Sequence, residues 1–391
     1  MQTIVEREAL LLAPYAMHSA DSRGRRYPEP AHPYRGPFQR DRDRILHSAA
    51  YRRLSGKMQV FTGDMGDYHR TRLTHTQEVA SIARTLGRAL RLNEDLIEAL
   101  ALVHDIGHPP FGHAGEDALD ECLADEGGFS HNRQALVIVE ELELRYPNFP
   151  GLNLTWETLE GQQTRASKGA ATYPQSATSP TEPPSEPSTE TAAGRLLEVK
   201  VVEAADSITY DAHDTDDAIE LGLVEIGELE QVSLARECLK RVRNRFGALD
   251  AEVLRRAVVH ELIDRQVSDV LTRTVTVLAE LSPPTAEAAR RADVPISGSA
   301  ELVSQKAELE DFLKKRVYRH PRLIEVRHKA QQRLRAMFEL YAQRTELLPE
   351  KFQARAAKVG PRRSAADYLA GMTDRYCDEQ YHRHLGGKCA D

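Results

Sequence analysis

Residues 74–108, THTQEVASIARTLGRALRLNEDLIEALALVHDIGH, decide the fold. Val79, Ile82, Ala83, Leu86 and Leu90 recur at helical spacing and place one apolar stripe on one face. Thr74 followed by Gln77 fits a capping box and predicts the start of that helix. Asn93 then predicts a second helix, with Glu94 and Asp95 in its first turn, where carboxylates meet the positive end of the helix dipole. Leu96, Ala99, Leu100 and Val103 form its buried stripe, and Pro109–Pro110 stop it, leaving His108 at a helix terminus.

The same period governs both flanks. Upstream, residues 21–53 are rich in Arg, Pro and Gly and read as irregular chain leading into a short helix at RDRILHSAAYRRL. Its basic side chains Arg40, Arg42, Arg44, Arg52 and Arg53 are either a solvated surface or phosphate contacts, the pair Arg52–Arg53 being the better candidate for the second role. Downstream, a helix is expected from about Gly115 to Ala124, and Ser130 is expected to cap the helix that begins at His131. The segment from Ala251 to Leu281 reads as one long helix or two, and the stretches beginning at Ser299, Pro321 and Ser364 as three more. Sustained strand–helix alternation and a phosphate-loop glycine pattern are both missing from the sequence, so the fold class is all-α.

One stretch is different in kind. Gln162–Ala193 is Ser, Thr, Pro and Ala with almost no large apolar side chain, too little to offset the entropy of ordering, and is expected to be a flexible surface insertion. The 391 residues hold 52 Lys and Arg against 60 Asp and Glu, a formal net charge of −8, which argues only weakly against a nucleic-acid partner because a local basic patch can sit on an acidic chain. Cys122, Cys238, Cys377 and Cys389 form no CxxC pair or zinc-finger spacing and read as free thiols. No segment has the length and apolarity to cross a bilayer, and the N-terminal apolar run lacks a basic flank, so a cytoplasmic protein without membrane contact is expected.

The chemistry concentrates in HDIGHPPFGH: His104, Asp105, His108 and His113 within ten residues. Imidazole and carboxylate without thiolate suit a borderline or hard divalent ion such as Mn, Fe, Co or Mg. A single His–Asp pair does not fill a coordination shell. His75 lies in the preceding helix and Asp206 on a later one, where Asp206, Tyr210 and Asp214 share a face by their spacing of four. Spacing alone does not bring either His75 or Asp206 to His104–Asp105.

Seven runs, in order, carry a resemblance that supplies the link: YRRLSGKMQVF, YHRTRLTHTQEVASIAR, EALALVHDIGHPPFGHAGEDALDE, FSHNRQAL, GLNLTWETLEG, VEAADSITYDAHDTDDA and DYLAGMTDRY. Together they resemble the HD-domain phosphohydrolases, and within them the deoxynucleoside triphosphate triphosphohydrolases of the bacterial deoxyguanosinetriphosphate triphosphohydrolase-like group. The insertion 162–193 departs from the compact connection of that family. The resemblance implies a division into an N-terminal arm and first helix (1–53), an HD-domain catalytic core (54–240) and a packed C-terminal helical region (241–391). It implies a divalent metal held by His75, His104, Asp105 and Asp206, and a catalytic pair His113 and Glu116. Substrate contacts are implied for Gln59, Arg53, Arg72, His131, Tyr210 and Asp214, while His108 is expected to support a ligand from behind or to face the phosphates. Tyr376 and Asp374 are candidates to close the pocket over the base.

The implied reaction is attack of water at the α-phosphorus of a deoxynucleoside triphosphate, giving deoxynucleoside and tripolyphosphate. The same constellation also serves nucleotide monophosphatases and cyclic-nucleotide phosphodiesterases, and a nucleotide- or nucleic-acid-binding regulator with a residual site is the rival from another class. The resemblance further implies a homo-oligomer, a hexamer among the options, and a possible nucleotide activator. For single-stranded DNA, dispersed basic residues and few aromatics give no independent sign.

Overall fold

The computed structural model of the chain describes residues 2–59, 70–168 and 194–386. The architecture is all-α: among the described residues strand character is confined to isolated bridges, one of them joining Met58 to Thr71. In chain order the helices are α1 (Ile4–Leu11), α2 (Pro37–Leu46), α3 (Ala49–Arg53), α4 (Arg72–Ala89), α5 (Glu94–Val103), α6 (Gly112–Cys122), α7 (His131–Val137), α8 (Trp156–Lys168), α9 (Leu197–Glu220), α10 (Ser233–Phe246), α11 (Ala251–Leu281), α12 (Ala286–Arg291), α13 (Ala300–Leu313), α14 (Pro321–Gln343), α15 (Glu350–Val359), α16 (Pro361–Ala370) and α17 (Asp374–Leu385).

The described residues within Met1–Asp21, Glu78–Ala101 and Ala192–Ile324 form one compact unit; those within Ser22–Gln77, Leu102–Thr191 and Glu325–Asp391 form another. In the first, α9 packs with α11, and α11 buries Val258, Leu262, Gln266, Val270, Thr274 and Leu278 as a narrow stripe at every fourth residue. α5 is brought close to α4 by Gly87, where a Cβ would lie 2.3 Å from Ile97 Cδ1. Asn93 caps α5 as expected, its Oδ1 accepting the Leu96 N–H at 3.2 Å, while its Nδ2 donates to the Met17 carbonyl at 2.8 Å.

In the second unit, α6 lies on a core built with α14, α16 and α17. Ala118 and Leu119 meet Leu334, Met337, Phe338, Ala365, Ala366, Leu369 and Cys377. Gly115 permits this seating and the tight turn before it, since a Cβ there would fall 3.2 Å from Leu334 Cδ2 and 2.0 Å from the Pro110 carbonyl oxygen. Arg44 is buried and donates to the Leu152 and Asn153 carbonyls and to Glu29, so it is structural rather than phosphate-facing; Arg40 also pairs with Glu29, and Arg42 with Asp43.

Four expectations are corrected. α4 starts at Arg72 rather than after Thr74, because the Thr71 N–H donates to the Thr74 hydroxyl at 3.1 Å and the Thr74 N–H to the Thr71 hydroxyl at 3.3 Å across the first turn. Of the stretch expected to be irregular from Gln162, residues 162–168 are helical in α8. Gln162 is buried and its Nε2 donates to the Asn132 carbonyl at 3.1 Å, a tertiary anchor that composition does not reveal. The rest of that insertion, like Cys389, lies outside the described residues. The run SAADYLAGMTDRY is split between α16 and α17 at Gly371–Thr373, Thr373 capping the second helix by accepting from the Tyr376 N–H. Ser130 makes no side-chain cap on α7; a carboxylate from α6 does so instead. Cys122, Cys238 and Cys377 are free thiols. Among the described residues no helix is long and apolar enough to cross a membrane.

Replacing Asn93 by Ala removes the α5 cap and its bond to Met17, and should lower stability by about 1–2 kcal/mol. A fall in thermal midpoint of a few degrees with unchanged helix content at 25 °C is the expected result by circular dichroism.

Candidate metal centre

The α4–α5 pair delivers the first two histidines by simple geometry. His75 sits in the first turn of α4, and His104 follows Val103, the last residue of α5, at the end away from the connecting turn. Both are buried, their ring centroids stand 5.7 Å apart, and one ring nitrogen of each lies within 4.8 Å of the other. Beyond Val103 the chain leaves the helix as a tight turn, which frees the side chains of His104, Asp105 and His108 to converge.

Asp105 is the hub. Its Oδ2 accepts from Arg72 Nη1 at 2.9 Å, and its Oδ1 stands 3.4 Å from His104 Nε2 and 3.2 Å from His108 Nε2. Burial alone would raise its pKa, but the neighbouring His104, Arg72 and His108 override that and hold it well below the usual carboxylate range. Asp105 is therefore an anion at neutral pH, ready to act as a ligand. Arg72, itself buried, also donates from Nη2 to the Gln59 carbonyl at 3.3 Å. Two of its donors are thus engaged inside the protein, beside the phosphate-contacting role that the resemblance implies for it.

His108 links this cluster to a second one. Its imidazole is buried, stacks on His131 at 3.8 Å between centroids with planes 15° apart, and meets His113 edge-on at 5.2 Å. Burial, followed by the charges of Arg72 and His131, drives its pKa well below the ordinary histidine value, so it is neutral. Its Nδ1 has no hydrogen-bond partner among the described residues.

Glu116 organises the second cluster from one turn along α6. Oε1 accepts both the backbone N–H of His131 at 2.9 Å and its Nδ1 at 2.7 Å, and Oε2 pairs with His113 Nδ1 at 3.2 Å. Burial opposes ionisation here too, yet the bonds from His113 and His131 hold the carboxyl far below its normal range. An anionic Glu116 accepts from Nδ1 of both rings, so the Nε2 atom of each is the one turned away from the carboxylate. The side chain of His113 is 56% exposed, against 6% for Asp105, so its Nε2 is the member open to an incoming molecule.

Of the other anticipated residues, Gln59 follows the bridge to α4, its N–H donating to the Arg70 carbonyl at 3.2 Å, and its side-chain Oε1 is buried without a hydrogen-bond partner among the described residues. Arg53 closes α3; its Nη2 would lie 3.9 Å from a Cβ placed at Gly371, and burial lowers its pKa. Asp206, Tyr210 and Asp214 stand on α9, in the other unit. There the Tyr318 hydroxyl donates to that of Tyr210 at 2.8 Å, and burial together with Asp214 pushes the Tyr210 phenol upward. Asp374 is half-buried and accepts from two backbone amides, those of Met58 and Phe111. Lys57, which gave no functional signal in the sequence, is buried and donates to the His108 and Ala370 carbonyls. A lysine in a basic segment reads as surface.

Two buried imidazoles and an ionised carboxylate, oriented from behind by an arginine and a third histidine, fit a divalent cation of borderline or hard character. An all-α fold with this His, His–Asp arrangement defines an HD-domain hydrolase, and the comparisons agree: residues 72–211 match the HD domain and residues 296–383 the phosphohydrolase-associated domain. The chain belongs to the family of deoxyguanosinetriphosphate triphosphohydrolase-like proteins. It is 43% identical over 395 residues to the protein of that name from Brucella ovis, covering 97% of this chain and 96% of the relative. It is 44% identical to deoxyguanosinetriphosphate triphosphohydrolase-like protein 1 of Mesorhizobium japonicum, with 97% and 96% covered. With the Nitrosomonas europaea protein, which bears the same name without the number, identity is 40% and coverage 95% and 97%.

Arg72→Gln should weaken divalent-metal affinity at least about tenfold by releasing Asp105, as loss of a group supporting a ligand generally does; competition against a metallochromic chelator reads this directly. At Gly107 a Cβ would meet the His131 carbonyl oxygen at 2.0 Å and the Ala135 nitrogen at 2.5 Å. Gly107→Ala should therefore displace α7 and the His108–His131 stack, with a lowered thermal midpoint and loss of most turnover.

Proposed function

We propose that the chain hydrolyses deoxynucleoside triphosphates to deoxynucleoside and intact tripolyphosphate, through attack of water at the α-phosphorus. The observation that carries the reading is the adjacency of two clusters: buried His75 and His104, with a ring nitrogen of each within 4.8 Å of the other and Asp105 Oδ1 at 3.4 Å from His104 Nε2, and an exposed His113 oriented by Glu116. The names of the relatives support the substrate class.

His75, His104 and Asp105 would hold the divalent ion, Mn, Co, Mg or Fe, and the family resemblance adds Asp206 to that set. When bound, such an ion supplies Lewis-acid polarisation of a phosphate oxygen. Arg72 keeps Asp105 ionised and aimed, and His108, neutral and stacked, maintains the spacing between Asp105 and the Glu116 cluster. The Nε2 of His113 exchanges a proton with the reacting groups, as acid toward the departing 5′-oxygen or base toward the water, while Glu116 stabilises the imidazolium form. Arg53 and His131 bind triphosphate oxygens. Tyr210, restrained through its hydroxyl by Tyr318 and by Asp214, packs against the sugar and rejects a 2′-hydroxyl by leaving it no space or partner. Gln59 offers its Oε1, which has no hydrogen-bond partner among the described residues, to a hydroxyl of the deoxyribose.

Metal-stripped protein resupplied in turn with Mn, Co and Mg, incubated with each dNTP alone and in mixtures, should yield tripolyphosphate and deoxynucleoside on anion-exchange chromatography. Orthophosphate or pyrophosphate as the product would overturn the reaction, and nucleotide binding without turnover under any metal would favour a regulator. His104→Ala should lose bound metal and nearly all turnover with helicity intact. His113→Ala should keep its metal yet lose about 100-fold or more in kcat, in line with the contribution of a general acid or base. A metal-free His113→Ala would reverse that assignment of roles.

A further inference from the structure

The C-terminal run DYLAGMTDRY supplies no group to the proposed chemistry, yet it reaches the two segments that present it. Asp374, the first residue of α17, accepts from the Met58 N–H through Oδ2 at 2.9 Å and from the Phe111 N–H through Oδ1 at 2.9 Å. Met58 immediately precedes Gln59. Phe111 immediately precedes α6 and adopts the left-handed region, φ 66° and ψ 22°, followed by Gly112 at φ 58°. A bulky residue in that region is held there only by its surroundings. Asp374 is not required by its own helix, because Thr373 already accepts the Tyr376 N–H as the cap of α17.

The contacts around this carboxylate join the same segments a second time. Lys57 donates to the carbonyls of His108 and of Ala370, the latter at 2.8 Å. Gly112 packs where a Cβ would be 3.0 Å from Arg72 Nη2 and 3.4 Å from the Gln59 carbonyl. Residues 57–59, 108–112 and 370–374 are therefore in register with one another to within the length of a hydrogen bond. Two backbone donors from different segments converge on one anion, an arrangement an amide side chain cannot reproduce, since it offers one acceptor oxygen and turns a donor toward the other N–H.

We propose that Asp374 is a positioning residue of this hydrolase: its carboxylate locks the Gln59 segment to the left-handed turn that launches α6, and so sets where His113 and Glu116 stand relative to Gln59 and Arg72. The phosphohydrolase-associated region, which includes Asp374, thereby acts on the site through backbone amides rather than through contact with substrate. The inference rests on the reaction proposed above for its kinetic arm only.

The test uses the full chain loaded with Mn, as wild type, Asp374→Asn and Asp374→Ala. It measures kcat and KM on the best dNTP, metal content, and amide exchange by mass spectrometry of peptides covering residues 54–59, 108–116 and 78–101. The expected result for Asp374→Asn is a kcat lowered tenfold or more with KM within threefold, metal content as in wild type, and faster exchange in the first two peptides but not the third. Unchanged kcat, unchanged exchange in those two peptides, or a loss of rate matched by loss of metal or by global unprotection would overturn the proposal. Should the Ala variant fail to fold, the Asn variant, of equal size, decides. Should wild-type protein hydrolyse no dNTP, the proposed reaction fails, and the exchange pattern alone then upholds or overturns the positioning role.

Discussion

A carboxylate buried among cations and imidazoles is the constraint on which this site depends. Asp105 is stable as an anion in the interior only because Arg72, His104 and His108 surround it, and each of those side chains is held in place in turn by the need to satisfy it. Removing one partner of such a set leaves an uncompensated buried charge, which is far more damaging than losing a surface pair. The arrangement explains why an arginine with almost no exposure is found one turn before a histidine at the start of α4: the helix presents both to the same turn beyond α5.

A second carboxylate repeats the logic at lower burial. Glu116 ties a helix start, a stacked histidine and an exposed histidine into one unit, so α6 and α7 are aligned by the same group that orients His113. His108 stands between the two anions, touching Asp105 through Nε2 and His131 through its face. Chemistry and architecture are not separable here, because the carboxylate that accepts the first amide of α7 is also the one that holds Nδ1 of His113 and of His131.

Local features were legible in the sequence where the deciding interaction is itself local. Asn93 caps α5 from three residues away, the apolar stripes of α4 and α5 are buried as their spacing implies save for the half-buried Ile82, and the His104–His113 run signals a metal-competent cluster by residue type alone. Legibility fails where the partner is distant. Ser130 has the right identity for a cap, but Glu116, fourteen residues earlier, reaches the His131 amide and leaves it no role there. α8 runs on through a polar stretch because Gln162 finds a carbonyl on α7 and buries, an anchor that composition cannot register. Lys57 is the clearest case: its burial needs carbonyls 51 and 313 residues away, so nothing near it in the chain distinguishes it from a solvated lysine. The assignment of His75 and Asp206 as ligands rests on family resemblance alone, since helical spacing places them on faces without saying what those faces meet.

The core beneath α6 has a consequence for the protein's synthesis. Ala118 and Leu119 are covered by side chains from residues 334–377, and the amides flanking the site bond to Asp374. When the ribosome has made only the stretch with the histidines and Asp105, α6 has no apolar surface to rest on, and closing loops of more than 200 residues must await chain not yet made. The nascent protein thus carries its candidate ligands early but acquires their geometry late, and a truncated product would hold the motif without that geometry. Until then its exposed apolar helix faces need shielding from other chains, a period that ends only as α16 and α17 leave the exit tunnel.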